Sequence, residues 1–404
     1  MEKLNSGCHV MTKPTGSTCN IDCTYCFYLE KYKLYPESKQ KFMDEETLEI
    51  FIRQQIEAQS SDTVDFAWQG GEPTLAGIEF YEKAIQLQKK YAKNKKIVNV
   101  MQTNGLLLNK TWCQLFKRND WLIGISIDGP EELHNAYRVT RSGKGTHHKV
   151  IKAIELLKRH KIEFNILAVV NSLNVKQPEK VYKYLKSLGT PHIQFIPLVE
   201  RENTNAESNE IRLIGPDFVR QAQVTKWSVP SLQYGEFLSR IFDIWVKNDI
   251  GKVFVQIFET TLATTCGYPA QVCIFSEKCG HAFALEANGD LYNCDHYVYP
   301  EHKLGNIHEQ SITTMNNSDH ANQFGEDKKD KIAEDCKTCA FLEQCHGDCP
   351  KHRFIASSTG EHNLSYFCEG LFYFFKHSAP YMKTMKGLLE TQQSPALLMN
   401  ILRN

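Results

Sequence analysis

Three cysteines lie within eight residues near the start of the chain, at Cys19, Cys23 and Cys26, and an aromatic residue follows the third. No fourth cysteine lies close by, whereas a structural zinc ion takes four ligands, usually in two pairs. Three thiolates suit a 4Fe–4S cluster, because one of its irons then stays open to a small molecule. The spacing therefore predicts a reactive iron–sulfur cluster, and a zinc or disulfide interpretation needs a ligand from elsewhere in the chain.

The elements that must position these thiols alternate between strand-like and helical patterns from residue 9 to about 200. The predicted strands are His9–Lys13, Val64–Gln69, Val98–Thr103, Leu122–Ile127, Phe164–Val170 and Ile193–Leu198. The predicted helices are Glu45–Gln59 (with Asp44 as N-cap), Glu79–Ala92, Lys110–Arg118, His147–His160 and Pro178–Leu188. Such alternation predicts βαβ units and a parallel sheet. About six units fall short of a closed eight-fold barrel, so we expect an α/β partial (βα)6 TIM-type barrel, with an open doubly wound sheet as the alternative.

Polar and glycine-rich segments follow the first four predicted strands. They are the cysteine loop, Gln69–Thr74, Gln102–Gly105 and Ser126–Pro130. Each alone is compatible with an ordinary turn. Because reactive groups of parallel α/β folds lie at the carboxyl ends of the strands, together they indicate one site on one rim.

These segments resemble the anaerobic sulfatase-maturating enzymes, which belong to the radical S-adenosylmethionine (SAM) enzymes. The resemblance rests on Cys19-x3-Cys23-x2-Cys26, Gly70-Gly71-Glu72-Pro73, Ser126-x-Asp128-Gly129-Pro130 and the longer phrases Phe66–Gly77 and Gln102–Gly105. It covers about residues 8 to 380. It implies that SAM chelates the open iron and is contacted at Tyr25, Gly71, Ser126, Arg138 and Val199.

Physical chemistry suggests a role for each residue near SAM. Gly70 and Gly71 would let the backbone approach the methionine moiety closely, while Glu72 would orient that loop or pair with a nearby base. Ser126 and Asp128 would accept hydrogen bonds from the ribose hydroxyls, and Arg138 would pair with the SAM carboxylate. Tyr25 and Val199 would contact the adenine. The alternative is a solvated surface arginine at 138 and plain packing residues at 25 and 199.

Eight further cysteines crowd the second half of the chain, which is enough for two four-cysteine sites: Cys273, Cys279, Cys294, Cys336, Cys339, Cys345, Cys349 and Cys368. Two zinc sites are the structural alternative. The arrangement resembles the SPASM extension, which implies two auxiliary 4Fe–4S clusters. The resemblance assigns Cys273, Cys279, Cys294 and Cys349 to the nearer cluster, and Cys336, Cys339, Cys345 and Cys368 to the farther one. Cys8, Cys113 and Cys266 are expected to be ordinary thiols.

Asp295 directly follows Cys294, so its carboxylate is placed to take a proton where an electron leaves. The resemblance places the catalytic base at this position, on the match Tyr292-x-Cys294-Asp295-x-Tyr297; the alternative is a carboxylate that caps a turn. His296 is the second candidate base, although neighbouring side chains in an extended segment point opposite ways. Gln69 is expected to hydrogen-bond the substrate side chain.

The composition sets outer limits on the protein. Lysine plus arginine equals aspartate plus glutamate at 47 each, which argues against a nucleic-acid partner or an anionic membrane. The first 13 residues lack a signal-peptide core, and no apolar run approaches the roughly 20 residues of a membrane span. Fourteen cysteines in a cytoplasmic protein then indicate metal rather than disulfides.

A chain of 404 residues is long for one domain. We expect a radical SAM barrel over 1–230, a helical linker over 231–265, a SPASM domain over 266–370 and a helical tail over 371–404. Turns are predicted at Gly289-Asp290, as the tip of a hairpin, and at Gly305-Asn306.

The resemblance implies a function with three 4Fe–4S clusters and SAM as cofactors. The reaction would oxidise a cysteine or serine side chain of a sulfatase to Cα-formylglycine. Its partners would be an unfolded sulfatase polypeptide with a Cys/Ser-x-Pro/Ala-x-Arg segment and an electron donor such as flavodoxin or ferredoxin. Two alternatives stay open: a SPASM peptide maturase that forms thioether or carbon–carbon crosslinks, and a zinc-stabilised scaffold or regulator.

Overall fold

The first half of the chain forms six parallel strands joined by helices. The computed structural model describes residues 7–35, 41–203, 210–218 and 222–403. The strands are β1 (His9–Thr12), β2 (Thr63–Trp68), β3 (Lys96–Thr103), β4 (Leu122–Ser126), β5 (Phe164–Val170) and β6 (His192–Pro197). The helices are α1 (Glu45–Ala58), α2 (Ile78–Tyr91), α3 (Lys110–Arg118), α4 (Glu131–Asn135), α5 (His147–Arg159) and α6 (Pro178–Ser187). Every predicted element of this half is present within two residues of its predicted ends. Among the α-helices in the described part of this half, α4 alone was not predicted, because five residues carry too little periodicity.

The order of these strands distinguishes the two expected architectures. Strands β1 to β6 pair in sequence order, and every neighbouring pair is parallel. A doubly wound sheet reverses direction at a switch point, whereas a barrel always adds the next strand on the same side. In the described residues β1 and β6 do not pair with each other. The α/β partial barrel is therefore confirmed.

Strands from the later part of the chain extend this sheet at both edges. β7 (Arg201–Glu202) and β8 (Gln223–Val224) pair with each other in a separate two-stranded sheet. The strands that extend the main sheet are β9 (Phe254–Val255), β10 (Ala282–Leu285), β11 (Asp290–Tyr292) and β12 (Lys303–Asn306). β9 pairs with β6, and β10 pairs in parallel with β1, in the register His9↔Ala282. The sheet therefore runs across the expected boundary at residue 266, and the fourfold division into domains stays a prediction.

The antiparallel strands β10 and β11 form the predicted hairpin, with Gly289 in its turn at φ +86°. The turn predicted at Gly305-Asn306 is wrong, because both residues lie in β12 and pair with β11. The chain turns just afterwards, where the N–H groups of Glu309 and Gln310 bond the carbonyl of Asn306.

The C-terminal half is otherwise helical. It contains α7 (Ser231–Asn248), α8 (Gln256–Thr265), α9 (Ile312–Asn316), α10 (Asp319–Asp330), α11 (Glu334–Lys337), α12 (Leu342–Cys345), α13 (Cys368–Glu390) and α14 (Leu398–Ile401), with the short strands β13 (Arg353–Ile355) and β14 (Leu364–Ser365). Helix α13 packs on α7 so closely that a Cβ at Gly370 would lie 2.0 Å from the carbonyl oxygen of Ser231. This packing joins the linker to the segment that follows the last cysteine. No helix in the described ranges is both long and apolar enough to cross a membrane.

Local sequence explains how the barrel helices form. The Asp44 carboxylate accepts the N–H of Thr47 over 2.8 Å, as expected of an N-cap. From there α1 buries Leu48, Phe51 and Ile52 at helical spacing. The expected break in the pattern at 200–215 falls partly on residues 204–209, which lie outside the described residues.

Candidate active site

The cysteine loop follows β1 and is fastened to the neighbouring loops by backbone and side-chain contacts. The N–H groups of Asp22 and Thr24 bond the carbonyls of Val139 and Tyr137 over 2.8 and 3.0 Å. Two side chains hold the start of the loop: Arg141 donates to the Cys19 carbonyl over 2.9 Å, and the Asn104 amide donates to the Asn20 side chain over 2.7 Å. The loop is therefore held in place by the segments after β3 and β4.

The chemistry of the three thiols fits a cluster. Burial raises the pKa of Cys19 to about 11, and it also raises the pKa values of Cys23 and Cys26. The nearby Cys26 charge raises the pKa values of Cys19 and Cys23 further, so three buried thiolates need a bound positive charge. Among the described residues, no three His, Cys, Asp or Glu side chains converge as ligands of a single ion. Thiolates that share a cluster's irons are the donor set that a 4Fe–4S group uses.

Gly70 and Gly71 lie against the backbone of the cysteine loop. A Cβ at Gly71 would sit 2.1 Å from the Thr18 carbonyl oxygen, and the Gly71 N–H bonds the Gly16 carbonyl over 2.8 Å. Gly70 has φ +118°, a conformation that suits glycine. We expected these glycines to admit the methionine moiety, and the structure shows a further reason for them: the cysteine loop itself passes there.

Glu72 connects the loop after β2 to the loop after β3, which agrees with the expectation that it orients the glycine-rich loop. It is 1% exposed and accepts hydrogen bonds from the Thr103 hydroxyl over 2.6 Å and the Asn104 N–H over 2.8 Å. Thr74 donates to it as well. Burial raises its pKa despite these donors. Its oxygens thus accept hydrogen bonds from protein groups, and its role at the cofactor stays a prediction.

Asp128 joins the cysteine loop to the barrel. Its Oδ2 accepts from the Tyr25 hydroxyl over 2.6 Å and from Arg138 Nε over 2.9 Å, and its Oδ1 accepts from the Val169 N–H over 3.0 Å. The side chain is fully buried. Asp128 therefore holds Tyr25 and Arg138, and its contact with a ribose hydroxyl stays a prediction. Arg138 is 7% exposed, so the surface-arginine alternative is wrong.

The other expected contacts lie at the same carboxyl edge of the sheet. Ser126 ends β4 and accepts from the Gln102 amide over 2.9 Å. Val199 is buried two residues after β6. Gln69 follows β2, is half-buried and bonds the Thr12 carbonyl through its backbone N–H over 2.8 Å.

Asp295 meets the end of β1 through a buried lysine. It begins a short 3-10 turn directly after Cys294, and its carboxylate forms an ion pair with Lys13 Nζ. Lys13 also lies 3.8 Å from Glu286 and 3.5 Å from the centre of the Tyr28 ring, and Tyr28 donates its hydroxyl proton to Glu286. Burial opposes ionisation of Asp295, but Lys13 and the other neighbouring positive charges together outweigh it, and the pKa of Asp295 is lowered.

The second candidate base, His296, lies in a different setting. Burial, and then the charge of Lys351, lower its pKa to about 3. Its Nδ1 lies 3.9 Å from the sulfur of Cys349. His296 thus lies beside an expected cluster ligand.

A cavity of about 560 Å³ lies between the cysteine loop and the β10–β11 hairpin. Cys19, Tyr28, Arg141 and Glu286 are among the residues that line it. Lys31 lines it too and donates to the Val298 carbonyl over 3.1 Å; burial, and then Lys13, lower its pKa to about 6. The cavity therefore reaches both the Cys19 thiol and the Glu286 carboxylate, and Glu286 shares Lys13 with Asp295.

The eight later cysteines form two groups. Burial is the main cause of the raised pKa values of Cys294 and Cys349, and the charge of Cys279 adds to both; Cys273 adds to that of Cys279. In the same way Cys336 adds to the raised pKa values of Cys345 and Cys368, and Cys339 adds to that of Cys368. All fourteen cysteines, each within the described ranges, are free thiols. The structure thus brings together the two sets that the resemblance implies, with Cys349 beside Cys294.

Several residues of this site were missed by sequence reasoning. Lys13, Glu286 and Arg141 carry no motif of their own, and a charged residue at the end of an apolar strand was the one available signal for Lys13. Glu200 and Lys351 form a further buried ion pair over 2.5 Å, between the segment after β6 and the segment after Cys349. Only their spatial neighbours reveal these residues.

Comparison with known proteins identifies the family. The Radical SAM superfamily model matches residues 14–185, and the SPASM model, an iron–sulfur cluster-binding domain, matches residues 273–340. A serine-type anaerobic sulfatase-maturating enzyme of Bacteroides thetaiotaomicron is 44% identical over 396 residues, 98% of this chain and 95% of that protein. A cysteine-type anaerobic sulfatase-maturating enzyme of Clostridium perfringens is 33% identical over 374 residues, 92% of this chain and 96% of that one.

A solved structure agrees with this assignment. Native anSMEcpe with bound AdoMet and Cp18Cys peptide superposes with a TM-score of 0.81 at 33% identity, over 94% of this chain and 99% of that one. The match spans the barrel, the hairpin and the cysteine-rich half together. The chain therefore belongs to the anaerobic sulfatase-maturating enzymes, a family of the radical SAM superfamily.

Proposed function

We propose that this protein oxidises a cysteine or serine side chain of a sulfatase to Cα-formylglycine. The observation that carries this proposal is the ion pair between Asp295 and Lys13. It brings a carboxylate, adjacent to the Cys294 thiol, to the strand that leads into the cysteine loop. A proton acceptor, an electron route and the first cluster site thus meet at one place.

Eleven cysteines would hold the metal groups. Cys19, Cys23 and Cys26 would hold the first 4Fe–4S cluster, and the two four-cysteine groups would hold the auxiliary ones. When bound, SAM and the clusters supply an abstractor for one hydrogen atom and an acceptor for one electron. Gly71, Ser126 and Val199 would contact SAM directly, while Tyr25 and Arg138 are held toward it by Asp128. Gly70 and Glu72 support that surface from the loop after β2.

The atoms and electrons that the substrate loses define the role of Asp295. A serine side chain that becomes an aldehyde loses a hydrogen atom from Cβ, a proton from its hydroxyl and one electron. A cysteine loses the same three from Cβ and sulfur, and water then replaces the sulfur, which leaves as hydrogen sulfide. Asp295 accepts the proton as a general base, and Gln69 orients the oxygen or sulfur.

The partners follow from the chemistry. The substrate is an unfolded sulfatase segment of the type Cys/Ser-x-Pro/Ala-x-Arg, because a folded one would not bring its backbone to the carboxyl edge of the sheet. A one-electron donor such as flavodoxin or ferredoxin supplies the first electron. We place the protein in the cytoplasm, where thiols stay reduced.

The other enzyme class that fits the fold is a SPASM peptide maturase. It would use the same clusters and SAM but join the substrate's sulfur or carbon to another residue. Such a product keeps the sulfur atom and crosslinks the chain, whereas formylglycine carries a free aldehyde. The carboxylate at Asp295 favours the oxidase, since it provides the base that aldehyde formation needs.

The test uses protein with all clusters reconstituted without oxygen, a reductant, SAM and peptides with a Cys-x-Pro-x-Arg or Ser-x-Pro-x-Arg segment. We expect mass spectrometry to show an aldehyde that reacts with a hydrazine probe. Asp295→Asn should still form 5′-deoxyadenosine, but its formylglycine yield should fall about a hundredfold or more. The exposed Glu301 offers a matched control, and Glu301→Gln should match wild type. A crosslinked product, or a normal yield from Asp295→Asn, would contradict the proposal.

A further inference from the structure

We propose that Lys13 is the positioning residue of the candidate base: it holds the Asp295 carboxylate where the hydroxyl or thiol proton of the substrate is removed. This inference rests on the proposed function and adds a residue to it. Lys13 lies in no motif of the chain and six residues before Cys19. Lys13 directly follows β1 of the barrel, whereas Asp295 belongs to the cysteine-rich half of the chain.

The contacts of Lys13 define a fixed point for its ammonium group. Nζ pairs with Asp295 Oδ1, lies 3.8 Å from Glu286 Oε1 and sits 3.5 Å from the centre of the Tyr28 ring. Tyr28 in turn donates its hydroxyl to the same Glu286 oxygen. An ammonium group held by two carboxylates and a ring face has little freedom to move.

The backbone fixes Lys13 as firmly as its side chain does. Its N–H bonds the Leu285 carbonyl over 2.9 Å, which continues the pairing of β1 with β10 beyond the last strand residue. Glu286 follows Leu285 directly. The strand of the barrel and the hairpin of the cysteine-rich half therefore meet at Lys13 through both backbone and side chain.

Burial argues that the charge of Lys13 has a use. The side chain is 1% exposed, and that of Asp295 is 24% exposed, so the pair lies at the wall of the site with its acidic end toward the opening. An apolar residue of similar length would fill the same space without the cost of desolvating an ammonium group. The position of Asp295, rather than packing, thus explains a lysine here.

The position of the Asp295 carboxylate should strongly affect the rate of proton removal. A catalytic group displaced by about 1 Å can cost on the order of a hundredfold in rate. Without Lys13, the Asp295 carboxylate would lose the ion pair that orients it. Abstraction of the hydrogen atom would continue, but proton removal would lag, and 5′-deoxyadenosine would form without product.

The experiment uses the full chain with its clusters reconstituted and compares wild type, Lys13→Met and Lys13→Arg. Three quantities are measured: formylglycine per 5′-deoxyadenosine, the peptide Kd and the iron content with visible spectrum. For Lys13→Met we expect this ratio to fall at least about tenfold, with a peptide Kd within about threefold of wild type. Lys13→Arg keeps the charge and should recover part of the ratio. Lys186→Met breaks another lysine–aspartate ion pair, with Asp249 at 2.8 Å, and should leave the ratio unchanged.

A double variant separates positioning from general stability. If Lys13 acts through Asp295, Lys13→Met adds less than about twofold to the loss caused by Asp295→Asn. Losses that multiply, or an unchanged ratio in Lys13→Met with full clusters, would overturn the inference while leaving the proposed function intact. If Lys13→Met fails to bind clusters, Lys13→Arg decides: a ratio as low as that of Asp295→Asn would overturn it. A wild type that makes no formylglycine would overturn both proposals.

Discussion

The Tyr25 hydroxyl donates to Asp128 Oδ2 over 2.6 Å, which ties the middle of the cysteine loop to the end of β4. The same oxygen accepts from Arg138 over 2.9 Å. One buried carboxylate thus aligns an aromatic ring, a guanidinium group and the loop that would carry the first cluster. The arrangement of Tyr25 and Arg138 at the candidate SAM site therefore depends on this carboxylate.

Replacement of Asp128 should therefore damage the fold as well as the site. Asp128→Asn removes the charge that pairs with buried Arg138 and Tyr25, and removal of one partner of a buried pair costs about 3–5 kcal/mol. The free energy of unfolding of the apoprotein, from urea denaturation, measures this loss. Glu82→Gln is the matched control, because its pair with Arg118 at 3.3 Å is exposed and should contribute less than about 1 kcal/mol. Equal small effects of both variants would contradict this account of Asp128.

Gly71 should tolerate no side chain. In Gly71→Ala the new Cβ would lie 2.1 Å from the Thr18 carbonyl oxygen, so the cysteine loop must move, at a cost of about 1–3 kcal/mol. We expect the variant to lose iron from the first site, measured as iron per chain after reconstitution. Gly387→Ala serves as control: it lies in α13 with nothing within 4 Å of the added Cβ and should stabilise the helix by about 0.5–1 kcal/mol. Full iron in Gly71→Ala would show that the loop adapts.

The grouping of the later cysteines predicts a pattern of iron loss. Wild type with three cubane clusters holds about twelve irons. Cys294→Ala/Cys349→Ala should lose about four, since both thiols belong to one group, whereas Cys294→Ala/Cys345→Ala should lose about eight. Cys266→Ala should lose none. Iron and sulfide analysis with the visible spectrum reads out each variant, and equal losses in the two double variants would refute the grouping.

Glu259 should make stability depend on pH. It lies on α8, and burial raises its pKa from 4.5 to about 7. The folded state then binds the proton more tightly than the unfolded one, so this group contributes stability below pH 4.5 that is lost as pH rises to about 7. The contribution amounts to about 1–3 kcal/mol after allowance for partial exposure. Glu259→Gln should flatten that part of the curve in urea unfolding of the apoprotein between pH 5 and pH 8; an unchanged slope would contradict the assignment.

Local patterns in the sequence were sufficient for the barrel. Apolar residues repeat with strand or helix periodicity, and Asp44 marks a helix start that the structure confirms. The cysteine spacing and the glycine-rich segment at residue 70 predicted where chemistry would lie, because both depend on residues near each other in the chain. Roles within the site were harder: Glu72 and Asp128 have the expected locations, but their oxygens bind protein groups.

The sequence by itself thus determined the order of elements, the three-cysteine loop, the carboxyl-edge motifs and, through family resemblance, the reaction class. Only the tertiary structure decided that β10 lies beside β1 and that Lys13 meets Asp295 from 282 residues away. The physical reason is that periodicity and turn chemistry are local, whereas a buried charge takes its partner from whatever the fold brings within reach. A lysine at the end of a strand looks ordinary until the carboxylate opposite it is known.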